Sequence, residues 1–139
     1  MVDHETDFSA QIEQFFTSPQ FGVVGASSRR NKFGNKIFRC YQQQNKPAIP
    51  VHPAERVIEG VDCVASVADL PDEVNSISII TPPQVTEKVV KLAIDKGIEN
   101  IWMQPGAESE TAVKLCTSAG INLIYGGTCL LVVLGFDDH

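Results

Sequence analysis

From Gly25 to Gly34 the chain reads Gly-Ala-Ser-Ser-Arg-Arg-Asn-Lys-Phe-Gly. These residue types hold anions. Gly25, Ala26, Ser27 and Ser28 are small enough to bring backbone amides close to a ligand, and the serines add hydroxyl donors. Arg29, Arg30 and Lys32 supply positive charge. A helix that begins near Phe33 and Gly34 offers free amides and the positive end of its dipole. A tight strand–helix turn would explain the glycines and serines but not two adjacent arginines followed by a lysine.

The surrounding charge pattern sharpens this. The 139-residue chain has 11 basic and 17 acidic residues, yet from Gln14 to Pro53 there is no Asp or Glu. That segment carries six of the basic residues: Arg29, Arg30, Lys32, Lys36, Arg39 and Lys46. For Lys36, Arg39 and Lys46 a solvated helix face is as good an explanation as an anion site. The net charge of −6 argues against nucleic acid as a partner, because phosphate-backbone binding wants net positive charge.

The elements that must position this corner follow from periodicity. Asp7–Phe16 reads as a short amphipathic helix with Ile12, Phe15 and Phe16 on one side. Phe21–Ala26 is an apolar run suited to a buried strand. Lys32–Gln44 is a helix with Ile37 and Tyr41 at i, i+4. "PAIPVHP" is a second strand, "SVADLP" a helical turn capped by Ser66, and Asn75–Pro83 a third strand. "QVTEKVVKLAIDKGI" is the clearest helix, with Val85, Val89, Leu92 and Ala93 facing inward and Gly97 as its stop. A fourth strand ("ENIWMQPG"), a helix ending at Gly120 and a fifth strand ("INLIYGG") follow. The apolar run in the tail is left unplaced. This alternation implies an α/β fold, a single domain with a doubly wound parallel sheet of probable strand order 3-2-1-4-5.

In such a sheet, ligands sit beyond the carboxyl ends of the strands where the strand order reverses. The segments expected there are Gly25–Gly34, Val51-His52-Pro53, Thr81-Pro82-Pro83, Gln104-Pro105-Gly106 and Gly126-Gly127-Thr128. A dinucleotide fingerprint needs Gly-x-Gly-x-x-Gly and an acid closing strand two. Gly22, Gly25 and Gly34 do not have that spacing, and Glu55 comes one step late. NAD is therefore disfavoured but stays open, and a P-loop is excluded because no Gly-Lys-Ser/Thr occurs. His52 and Cys129 are the only candidates for acid–base or nucleophilic chemistry. Neither has a partner evident in sequence, so no catalytic residue is assigned.

The four cysteines form no Cys-x-x-Cys pair and the three histidines are scattered, so no metal site is expected. The acidic N-terminus does not read as a signal peptide, and no apolar run approaches a membrane span. A cytoplasmic protein with reduced thiols is the expectation.

Four stretches, "VVGASSRRNKFGNKIFR", "IPVHPAERVIEGVDCVASVADLPDEVNSISIITPP", "KGIENIWMQPGAESE" and "GGTCLL", carry a family resemblance. From about Pro19 to Gly135 the chain resembles the stand-alone CoA-binding domain proteins. These are related to the N-terminal CoA-binding domain of the succinyl-CoA synthetase alpha subunit and of ADP-forming acyl-CoA synthetases. The resemblance implies a Rossmann-like CoA-binding domain over residues 19–139; residues 1–18 are expected to form an N-terminal helix packed on it. It implies that Gly25, Ala26, Ser27, Lys32, Phe33 and Gly34 hold a pyrophosphate and that Val51, His52 and Pro53 border the adenosine. Thr81, Pro82 and Pro83 would line the next part of the groove, with Gln104 and Gly106 along the pantetheine arm. Two departures stand out. His52-Pro53-Ala54 replaces the Asn-Pro-Lys of many relatives, so Arg30 or Arg56 would have to meet a 3′-phosphate. Gly126-Gly127-Thr128-Cys129 replaces a Gly-Pro-Asn-Cys turn. The expected ligand is CoA or an acyl-CoA, with NAD or ADP as the alternative and no catalysis by the chain alone. A protein partner or homo-oligomer is left open.

Overall fold

A computed structural model describes residues 8–138. Five parallel strands form one sheet: β1 (Gln20–Val24), β2 (Ala48–Val51), β5 (Val74–Ile79), β6 (Asn100–Met103) and β7 (Asn122–Ile124). A small antiparallel pair, β3 (Val57–Ile58) and β4 (Val61–Asp62), lies between β2 and β5 in sequence. The helices are α1 (Ser9–Phe15), α2 (Phe33–Gln43), α3 (Pro83–Lys96), α4 (Glu110–Ser118) and α5 (Leu130–Leu134). Where a helix is expected over Asp7–Phe16, α1 spans Ser9–Phe15; residues 1–7 of the expected N-terminal segment lie outside the described residues.

Strand alternation divides the core. Phe21 and Val23 of β1 pack with Phe15, Ile37, Phe38 and Tyr41 on the face of α1, α2 and α5. Val24, Ile77, Ile79, Ile101 and Met103 pack against α3 and α4 on the other face. The first face carries polar residues that the aromatic packing leaves room to satisfy. Ser76 Oγ donates to the Phe15 carbonyl at 2.6 Å, and Tyr41 Oη shares a 2.6 Å bond with Ser78 Oγ. Asn122 Nδ2 donates to Asn100 Oδ1 and to the Gln11 carbonyl, which ties α1 to the sheet.

The α/β class with a parallel sheet and helices on both faces is as expected, but the strand order is not. The observed order is β2-β1-β5-β6-β7, which is 2-1-3-4-5 when only the five sheet strands are counted, not 3-2-1-4-5. The reason lies in the second crossover. The first, through α2, steps from β1 to β2. The second, from β2 to β5, runs through the 3-10 turn Val67–Asp69, whose Val67 packs in the core on the opposite face. A right-handed connection on that face must step the other way, so β5 lands on the free side of β1. Strand order therefore reverses around β1, and that reversal locates the site.

Candidate functional site

Beyond the carboxyl ends of β2, β1 and β5 lies a groove of about 860 Å³. Gly25, Ala26, Ser27 and Arg29 line it from the corner after β1, and Lys32, Phe33 and Gly34 from the start of α2. Val51, His52 and Pro53 close the β2 side; Thr81 and Pro82 close the β5 side. Ser28, Arg30, Pro83, Gln104 and Gly106 do not line it.

Those five have other surroundings. Ser28 N–H donates to Glu55 Oε2 at 3.1 Å. Arg30 Nε lies 4.0 Å from Glu59 Oε2, and the Arg30 carbonyl accepts from Arg39. Pro83 is the first residue of α3. Gln104 is fully buried at the end of β6, where its Oε1 accepts from Leu130 N–H while its Nε2 has no partner. Gly106 N–H donates to Glu108 Oε1.

Two glycines make the corner possible. Gly25 has φ of 96°, and a Cβ there would sit 2.8 Å from the Ile80 carbonyl carbon. A Cβ on Gly34 would sit 3.0 Å from the carbonyl carbon of Gly25 and closer still to its oxygen. The first turn of α2 is thereby pressed onto the loop, and its Phe33 and Gly34 amides have no intrahelical acceptor. Asn35, buried, holds the same junction by donating to the Ser27 carbonyl at 2.9 Å and to Glu59 Oε2 at 2.9 Å.

His52 is structurally engaged. Its Nδ1 accepts backbone N–H bonds from Ala54 (3.0 Å) and Glu55 (2.9 Å), leaving Nε2 to carry the proton 3.6 Å from Glu55 Oε2. These bonds turn the chain back after β2 and carry Glu55 to the glycine corner. Hydrogen bonds from the Ser28 side chain and backbone hold the Glu55 carboxyl below the usual glutamate range, helped by His52 and Arg29.

Several groove residues escaped the sequence reading. Glu55 comes one step late in sequence for a strand-end acid, yet the His52 turn delivers it to the groove. Ala65, Ser66 and Val67 line the groove because the chain after β4 runs parallel to β2, with His52 N–H donating to the Val64 carbonyl and Val64 N–H to that of Pro50. On α3, Val85, Lys88, Val89 and Leu92 form the facing wall. The expectation that Val85 and Leu92 face the core is corrected: they are 42% and 41% exposed, while Thr86, Val90 and Ala93 take the buried side. The signal was the width of the stripe, since two apolar faces on one helix are more than one core contact needs.

The charged groups of the groove are Arg29, Lys32 and Lys88 against Glu55. Among the described residues no three His, Cys, Asp or Glu side chains are grouped to hold a metal, and no helix is long and apolar enough to cross a membrane.

A family model described as a CoA binding domain matches residues 20–135. The alpha subunit of acetate–CoA ligase [ADP-forming] II from Pyrococcus furiosus is 26% identical over 101 residues, which are 72% of this chain and 22% of that protein. Acetate–CoA ligase [ADP-forming] I from Archaeoglobus fulgidus is 25% identical over 129 residues, 86% of this chain and 19% of that protein. The chain thus spans about a fifth of the length of these ligases. Among solved structures, a conserved hypothetical protein from Pyrococcus furiosus is 36% identical with a TM-score of 0.79, covering 82% of this chain and 97% of that one. A dinucleotide forming acetyl-coenzyme A synthetase 1 of Ca. Korarchaeum cryptofilum, in complex with phosphate and ADP, is 25% identical with a TM-score of 0.73, covering 84% of this chain and 27% of that one.

Proposed function

Because this chain belongs to the CoA-binding domain family, we propose that it binds CoA or an acyl-CoA in the groove at the β1 corner. The observation that carries this reading is the convergence of Gly25–Ser27, Arg29, Lys32 and the α2 N-terminus on one groove. A pyrophosphate would sit over the corner, where short amides, a helix terminus and two cations favour double negative charge. Val51, His52 and Pro53 would border the adenosine. The apolar wall of Val67, Val85 and Val89 suits the adenine ring, with Thr81 and Pro82 between. The pantetheine arm would run toward Gln104 and Gly106 at the end of the neighbouring strand.

No catalysis by the chain alone is proposed. His52 spends its Nδ1 on two backbone amides, and among the described residues no nucleophile is bonded to it. Ligase activity of the kind named for its relatives would need the remainder of such proteins or a partner.

One observation favours a second reading, an ADP- or NAD-type ligand. Glu55 stands at the β2 end of the groove, where a carboxylate can accept from ribose hydroxyls. Mass spectrometry of ligands retained by the purified protein separates the two. CoA or an acyl-CoA is expected; NAD or ADP retained alone would overturn the first reading.

A further inference from the structure

The geometry points to Glu55 as a specificity-determining residue: its carboxylate is a resident anion on the glycine corner, which an incoming pyrophosphate must displace. This rests on the reading that a phosphate-bearing ligand occupies the groove, and it concerns how that groove chooses among ligands.

Glu55 lines the groove, and its Oε2 accepts the Ser28 N–H at 3.1 Å. Ser28 lies between Ser27 and Arg29, both of which also line the groove. The next amide is taken as well, since Arg29 N–H donates to Ser27 Oγ at 3.1 Å. Two successive amides of the corner are thus satisfied from within, one of them by a full negative charge. Glu59, from the same excursion between β2 and β4, lies against Arg30 and accepts from Asn35 Nδ2. The excursion therefore lays two carboxylates against the basic loop.

A phosphate approaching Ser27 and Arg29 meets this carboxylate as a like charge at a solvent-exposed hydrogen bond, where screening keeps the repulsion modest. It gains the Ser28 amide only if Glu55 moves. The cost falls on every ligand with a pyrophosphate and on none without one. The opposite role, Glu55 as acceptor for ribose hydroxyls, would make its charge favourable to any nucleoside.

The two roles differ in sign. Wild type, Glu55→Gln and Glu55→Ala are titrated calorimetrically with CoA, ADP and adenosine, with thermal unfolding as a check that each variant folds. The expected result is CoA and ADP binding about 2- to 5-fold tighter in Glu55→Gln, the size of an exposed charge contribution, with adenosine unchanged. Glu55→Ala, which removes the acceptor as well as the charge, should show the same direction. Weaker or equal CoA and ADP binding in both variants overturns the inference, and a loss that extends to adenosine assigns Glu55 to the ribose. If no protein binds CoA but ADP tightens in the variants, the CoA reading fails and the Glu55 inference stands. If neither ligand binds any of the three, both fail.

Discussion

The Cα of Gly34 packs against the carbonyl of Gly25, so that a Cβ on Gly34 would stand 3.0 Å from that carbonyl carbon and 3.3 Å from the Ala26 Cα. The late glycine of the corner is thus a requirement of the fold, not only an opening for ligand. Gly34→Ala is expected to destabilise by about 1–3 kcal/mol, the usual cost of overpacking a rigid contact. Denaturant unfolding measures it. A Gly34→Ala protein as stable as wild type would show that the helix start is not pressed onto the loop.

The cations of the corner are expected to divide by position. Arg29 and Lys32 line the groove, whereas Arg30 is turned toward Glu59. Charge-assisted bonds to phosphate contribute about 1.5–3 kcal/mol when well placed. Arg29→Ala with Lys32→Ala together should therefore weaken CoA by at least ~10-fold, less at high salt, and Arg30→Ala should weaken it much less. Calorimetry at two ionic strengths distinguishes them; a loss from Arg30→Ala equal to that of the double variant would contradict the division.

His52 is expected to matter for the turn and not for turnover. Its Nδ1 holds the Ala54 and Glu55 amides. His52→Ala should lower stability by about 1–2 kcal/mol through the lost acceptor. No acyl-CoA hydrolysis is expected from wild type or variant. Hydrolysis by the wild type that disappears in His52→Ala would give the residue a catalytic role.

Asp138 couples the C-terminal segment to α2. Arg39, buried on α2, donates to Asp138 Oδ1 at 3.0 Å, to Asn35 Oδ1 at 2.6 Å and to the Arg30 carbonyl, and its guanidinium lies 5.1 Å from the centre of the Phe136 ring. The Arg39 hydrogen bond, with the charges of Arg39 and Lys36, holds the Asp138 carboxyl below the usual aspartate range. A group depressed in the folded state adds stability above its unfolded value, and that stability is lost as pH falls through the folded one. The Asp138 contribution should therefore be complete above about pH 4–5 and fade below it. Asp138→Asn should lower stability at neutral pH and converge with wild type in acid. A constant difference across that window would show the pair to be uncoupled from folding.

Burial pushes the Cys40 and Cys116 thiols up to about 11, with the neighbouring Cys129 adding to the shift of Cys40. Both should resist alkylation at pH 8 in the native protein, while the half-buried Cys63 and Cys129 label faster. Mapping by mass spectrometry tests this; early labelling of Cys40 would mean that α2 opens readily from the sheet.

The strands and their trailing loops were legible because apolar runs and helix stops are local signals. Gly25 through Gly34, Val51-His52-Pro53 and Thr81-Pro82 were placed at the right end of the sheet on that basis. Strand order was not legible, because it depends on which face the connection around Val67 crosses, and no residue states that. The β3–β4 pair was missed because Glu59-Gly60 closes a hairpin of two-residue strands, with φ of 48° and 80°, too short to show alternation. The α3 wall is not legible in sequence because Val85 and Leu92 are apolar like core residues and only the groove beside them sets them apart. Glu55 does not stand out by spacing, since only the backbone bonds to His52 bring it back.

The groove's ligand is tested most directly by calorimetric titration of the wild type with CoA, 3′-dephospho-CoA, ADP and NAD, repeated with Arg29 and Lys32 replaced together by alanine. CoA is expected to bind tightest and to lose at least ~10-fold in the double variant. NAD binding tightest, or CoA affinity indifferent to the two substitutions, would contradict a CoA site at this corner.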